Sequence, residues 1–140
     1  MSIDLSRVVR AMRSHLEAFS ALFAGVTPEE AQWRPEEGVW SLIEILGHLG
    51  DEERFDFRTR LEYTWNRPDD DWPPIDPDGW AVEKDYANYD LQEAWADFEM
   101  ERERSLRWLS SLDDPDWEAS RTHPIAGTIH AGDLVTAWEA

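Results

Sequence analysis

Three stretches of this chain space their apolar residues at alternating gaps of three and four, a pattern that commits most of the sequence to packed amphipathic helices. In the first, Leu5, Val8, Met12, Leu16, Phe19, Phe23 and Val26 share one face. In the second, Leu42, Ile45, Leu46 and Leu49 follow Ser41 and Glu44, which are spaced as a capping box, and the helix is expected to run to about Tyr63 or Trp65. The third opens on Asp90 and Glu93 and carries Leu91, Trp95, Phe98, Leu106, Leu109 and Leu112, with Arg102 the one polar interruption. Each predicts about 20 residues of helix, or about 30 Å at 1.5 Å per residue. A fourth helix begins near His130 with Leu134 and Trp138, and only about ten residues remain before Ala140.

The segments between are marked by turn chemistry. Thr27-Pro28-Glu29-Glu30 starts a short helical turn with proline at its first position. Residues 66–89 hold Pro68, Pro73, Pro74 and Pro77 among acids and aromatics, which predicts a long ordered loop or lid. Asp113-Asp114-Pro115 ends the third helix. The expected fold is therefore all-α, an up-and-down-type four-helix bundle over residues 1–140 as a single domain, with a long ordered loop between helices 2 and 3. Its fourth helix is incomplete: it cannot cover the groove left by longer partners. The chain is expected to stop short of a full helix there, or to have that groove covered by a partner.

Composition narrows the function. The 140 residues contain 31 acidic and 13 basic side chains, a net charge of −18, which would repel phosphate backbones and anionic lipid. Neither nucleic-acid nor membrane binding is expected. No apolar run approaches the ~18 residues of a membrane span, and the amphipathic N-terminus does not read as a signal peptide, so a cytoplasmic protein is expected. With no cysteine, disulfides, thiolate metal sites and a cysteine nucleophile are excluded. The nine tryptophans are expected in the core or packed under loops.

The residue that points to chemistry is His48, on or beside the apolar stripe of the second helix. A ring facing a bundle interior must be hydrogen-bonded or ligated. Glu44 and Glu52 flank it by one turn and Asp51 follows at three residues, as second-shell partners or substitute ligands for a metal. The other histidines read differently: His15 as surface, His123 as a loop hydrogen-bonder, and His130 as a helix cap. Asp69-Asp70-Asp71 and Asp76-x-Asp78-Gly79 lack the late glutamate of a calcium loop. Arg102 is expected to pair with an acid such as Glu52 or Asp56.

Taken in order, Trp33-Arg34-Pro35, Trp40-Ser41 through Gly47-His48-Leu49, Phe57-Arg58, Trp80, Tyr86, Asp90-Leu91, Phe98 with Arg102, Leu109 and Leu112, Asp116-Trp117 and His123-Pro124 to Gly127 resemble the DinB superfamily of small metal-binding four-helix bundles. The resemblance implies a divalent metal (nickel, zinc, iron or manganese) held by three histidines. One matches His48; the other two, in a His-Asp-x-x-His segment, would start after Ala140. It also implies a metal-dependent thiol transferase or hydrolase acting on a small molecule, with a thiol as cosubstrate. Catalytic residues are not carried over. The alternative is a non-catalytic helical module that works without metal, as a homodimer or a binding scaffold.

Overall fold

The computed structural model describes residues 2–140. Its helices are α1 (Leu5–Ala24), α2 (Pro28–Gln32), α3 (Leu42–Asp51), α4 (Phe57–Asn66), α5 (Pro77–Glu83), α6 (Leu91–Ser111) and α7 (Ala131–Glu139). A π-helical turn over Glu52–Asp56 joins α3 to α4, and a 3-10 turn over Tyr86–Asn88 precedes α6. Strands β1 (Ser120–His123) and β2 (Gly127–His130) form a hairpin before α7. The caps follow the sequence: the Asp90 carboxylate accepts from the Glu93 N–H at 3.0 Å, and Ser41 Oγ from the Glu44 N–H at 3.4 Å. The Ser41 box is only half closed, because the Glu44 carboxylate turns to the Ser41 hydroxyl and to Arg34.

Four rods make the bundle: α1, the continuous α3–α4 rod, α6 and α7. Their directions follow from which residues meet. Arg54 pairs with Asp97 and Arg58 with Glu101, so the α3–α4 rod and α6 run parallel. Phe19 packs on Phe98 while Arg13 pairs with Glu103, so α1 runs against α6. Trp138, near the end of α7, stacks on Phe57, while Trp117, whose carbonyl accepts the Gly132 N–H at the start of α7, packs on Trp65, so α7 runs against α4. The order is up, down, down, up, which corrects the expected up-and-down path. Two adjacent parallel helices cannot be joined by a short turn. The chain must climb back along the bundle, and residues 67–90 do so.

That return is more structured than its prolines suggested. Pro77 occupies the first turn of α5, where its missing N–H costs nothing, and Asp76 caps the helix by accepting from the Gly79 N–H at 3.1 Å. The hairpin is a second departure from the all-α expectation. Arg121 pairs with Ile129 and Thr122 with Thr128; Ile129 and the two threonines are β-branched and suit a pleated surface, and Gly127 turns the chain at φ +75°.

The core has two parts. Val8, Met12, Leu61, Leu106, Leu109, Leu134, Val135 and Trp138 fill the end where α7 lies. Leu16, Ile43, Leu46, Ala94 and Phe98 fill the other. The second helix therefore faces inward through Ile43 and Leu46, whereas Leu42 and Ile45 remain 39% and 37% exposed, a correction to the expected stripe. The reason is close approach at glycine. A Cβ on Gly47 would lie 2.8 Å from the buried Tyr86 ring, and one on Gly50 would lie 3.2 Å from Asp97. The helix turns its smallest residues to its neighbours, and these leave no apolar mark in the sequence.

Candidate metal centre

His48 sits near the end of α3, one turn before the π turn. Its side chain is 25% exposed and its ring packs against Trp40, with centroids 5.1 Å apart. Burial pushes the imidazole pKa below its ordinary value, against the opposing pull of Asp51, Asp56 and Asp78, and so favours the neutral ring that a metal requires. Its Nδ1 is buried and has no hydrogen-bond partner. The nearest acid is Glu52, whose Oε1 lies 3.6 Å away, too long for a hydrogen bond.

Glu52 is itself unusual. Burial, then a hydrogen bond and charge repulsion from Asp56, push its carboxyl up to about 7. Near neutral pH it can hold or release a proton beside the His48 ring. Asp56 is buried in turn and lies 3.1 Å from Arg60 Nε. His48, Glu52, Asp56 and Arg60 form one line along the rod.

The π turn organises this line. A widened turn puts one more residue into the helix than an α-helix of the same length would hold, and such bulges recur at functional sites. Thr59 Oγ1 reaches back five residues to the Arg54 carbonyl at 3.1 Å, satisfying an acceptor inside the turn. Glu53 then enters the core. Its Oε1 accepts from Arg102 Nε at 2.9 Å and from Trp138 Nε1 at 2.8 Å, and Arg102 Nη2 lies 2.6 Å from it. Arg102 thus pairs with Glu53, and the expected Glu52 or Asp56 pairing is corrected. Adjacent acids look alike in sequence; the tether to Trp138 across the bundle selects Glu53.

The remaining candidate ligands are engaged elsewhere. Asp51 is buried and receives Lys84 Nζ at 2.7 Å, Arg54 Nη1 at 2.9 Å and the Tyr86 hydroxyl. Glu44 is held by Ser41 and Arg34 a turn away. His15 is on the exposed face of α1, and His123 Nδ1 accepts the backbone N–H groups of Ile125 and Ala126 within the hairpin. His130 stands at the N-cap of α7, where its backbone N–H donates to Asp133 at 2.9 Å. The structure therefore brings Glu52 to His48 and leaves the other three histidines apart from it.

The DinB superfamily model matches residues 11–139. The chain belongs to the DinB superfamily. Its fold is also that of YfiT from Bacillus subtilis, described as a probable metal-dependent hydrolase with an unusual four-helix bundle topology. The two superpose with a TM-score of 0.83 at 16% sequence identity, over 99% of this chain and 81% of YfiT. No curated protein matches the chain.

Among the described residues of this DinB-superfamily chain, no group of three His, Cys, Asp or Glu side chains is arranged to hold an ion. What His48 and Glu52 fit is a two-donor seat of one imidazole and one carboxylate; a three-histidine site does not fit these residues. The Glu53–Arg102–Trp138 contact, the π turn and the Glu52–Asp56 pair were not foreseen as features of the site. The sequence did carry a trace of them in the acid run Asp51-Glu52-Glu53, followed by Asp56, on a helix that must bury one face. Among the described residues no helix is long and apolar enough to cross a membrane.

Proposed function

We propose that this chain binds a divalent metal at His48, with Glu52 as second protein donor, and that the loaded protein acts on a small molecule by hydrolysis or thiol transfer. The observation that carries the reading is the buried, unpartnered Nδ1 of His48, whose burial disfavours protonation, beside the Glu52 carboxyl. A buried polar atom without a partner needs an explanation, and an ion or water between the two side chains supplies one. The description of YfiT as a probable metal-dependent hydrolase supports the same reading. Nickel, zinc, iron and manganese all accept imidazole and carboxylate donors, so the pair does not choose among them.

A bound metal would lower the pKa of a coordinated water or thiol and create a nucleophile near neutral pH. The chain has no cysteine, so such a thiol would be a cosubstrate. The protein's own contribution is positional. Trp40 covers the His48 ring, burial disfavours protonation of that ring, and the Glu52 carboxylate stands 3.6 Å from its Nδ1, where it would serve as the second donor. Calorimetric titration with zinc tests this: wild type should bind, Glu52→Gln should bind about tenfold more weakly, and His48→Ala should not bind. Equal binding by wild type and His48→Ala would overturn the proposal.

A metal-free module is the second reading. It is favoured by the exposed apolar residues Val39, Leu42 and Ile45 on and beside α3, at 38%, 39% and 37% exposure. They suit a homodimer contact. Sedimentation at micromolar concentration should then show a dimer without metal, and a monomer would remove this reading.

A further inference from the structure

A cavity of about 450 Å³ lies away from His48, between the returning connection and the hairpin. Arg60, at its base, is twelve residues further along the same rod than His48, which at helical rise is about 18 Å. The lining divides into two kinds of wall. Arg60, Arg121 and His123 bring cationic or hydrogen-bonding nitrogen; Trp72, Pro73 and Ile75 bring a rigid apolar surface. In a chain of net charge −18 with only 13 lysines and arginines, two arginines at one cavity concentrate the scarce positive charge, partly offset by Asp56 beside Arg60 and by Asp71.

Arg60 is the group left incomplete. Its side chain is only 16% exposed and its guanidinium carbon sits 5.0 Å from the centre of the Trp72 ring, a cation–π distance. Asp56 lies 3.1 Å from Arg60 Nε, but the geometry is not that of a hydrogen bond, and Nε remains a buried donor without a partner. Among the described residues no hydrogen bond engages its two terminal nitrogens. Arg121 differs: its terminal nitrogens donate to the backbone carbonyls of Pro68 and Asp70, so it straps the connection to the hairpin and shapes the cavity wall. Trp72 is held by its own hydrogen bond to Thr64 at 3.3 Å. Asp71 also borders the cavity, so a dianion is disfavoured there and a monoanion fits better.

We propose that this cavity is a binding site for a small organic monocarboxylate, the carboxylate received by the fork of Arg60 and the apolar body laid against Trp72, Pro73 and Ile75. A planar guanidinium with free terminal N–H groups matches a carboxylate in two parallel hydrogen bonds, and a compact inorganic anion would leave the apolar wall unused. None of the cavity residues contacts His48, although Arg60 is linked to Glu52 through Asp56.

Benzoate is the probe, with benzamide as its uncharged isostere and inorganic phosphate as the test of a bare anion site. Binding is followed by tryptophan fluorescence and by protein-observed NMR on the full chain. Benzoate should saturate and shift the Trp72 indole signal, while benzamide and phosphate should not. Arg60→Gln should weaken benzoate about tenfold or more, the loss of a charge-assisted bidentate pair, and His48→Ala should leave it unchanged. Should Arg60→Gln fail to fold, Ile75→Asp puts a negative charge on the apolar wall with the fork intact and should abolish binding. Equal binding of benzamide, saturation by phosphate alone, or benzoate affinity indifferent to both variants would overturn the proposal. Loss of benzoate binding in His48→Ala would show that the site is not separate from the metal seat and would also overturn it.

Discussion

Removing Arg102 should cost this fold about as much as removing a large apolar side chain from its core. Arg102 and Glu53 are 6% and 2% exposed, and every contact of the guanidinium with that acid converges on one oxygen, Oε1. Oε2 already lacks a partner, so Glu53 depends on Arg102 and on the Trp138 N–H for its compensation. Arg102→Met keeps the volume and removes the charge, leaving a buried carboxylate with one neutral donor. Breaking a buried pair from one side costs about 3 to 5 kcal/mol. In a domain of this size that is roughly a 10 to 20 °C fall in Tm. Urea unfolding at pH 7, followed by tryptophan fluorescence, reads the difference. The double variant Glu53→Leu/Arg102→Met should recover most of the loss, because the penalty is the unpaired charge and not the missing attraction. A single variant within about 1 kcal/mol of wild type, or a double variant no better than the single, would refute the reasoning.

Other expectations follow from the same geometry. Glu52 has a folded-state pKa of about 7 against an ordinary 4.5, so its ionisation opposes folding: the cost is absent below the lower value and complete above the higher. Glu52→Gln should therefore match wild type near pH 4 and be more stable by about 1 to 2 kcal/mol near pH 8, allowing for solvent screening; a pH series of unfolding free energies checks the sign. Gly47→Ala would place a methyl 2.8 Å from the Tyr86 ring, and although alanine favours helix, the clash should dominate with a loss of about 1 to 3 kcal/mol in thermal unfolding. Trp138→Phe keeps the stack on Phe57 but withdraws the N–H from Glu53, and should cost about 1 to 2 kcal/mol, much less in the Glu53→Leu background.

The apolar stripes of α1 and α6, the caps at Ser41 and Asp90, and the start of the last helix at His130 were all legible, because burial and capping act within a few residues. The inward face of α3 was not. It is set by Gly47 and Gly50, where backbone meets Tyr86 and Asp97, and a missing side chain gives no hydrophobic signal. Helix direction was misread for a related reason: periodicity fixes which face is buried, but only the pairing of Arg54 with Asp97 and of Arg58 with Glu101 shows that two rods run parallel. His48 stood out as a polar ring near an apolar face. Which of its acidic neighbours would approach it was undetermined, since Glu44, Asp51 and Glu52 are all within a turn. Distant partners decided it: Lys84 and Tyr86 take Asp51, Arg34 takes Glu44, and Glu52 is left beside the ring.

The central claim is that His48 seats a metal, and elemental analysis of protein purified gently, without a histidine tag or chelator, tests it most directly. The account predicts about one divalent ion per chain in wild type and in His15→Ala, and none in His48→Ala. Metal absent from wild type, or equal in wild type and His48→Ala, would contradict it.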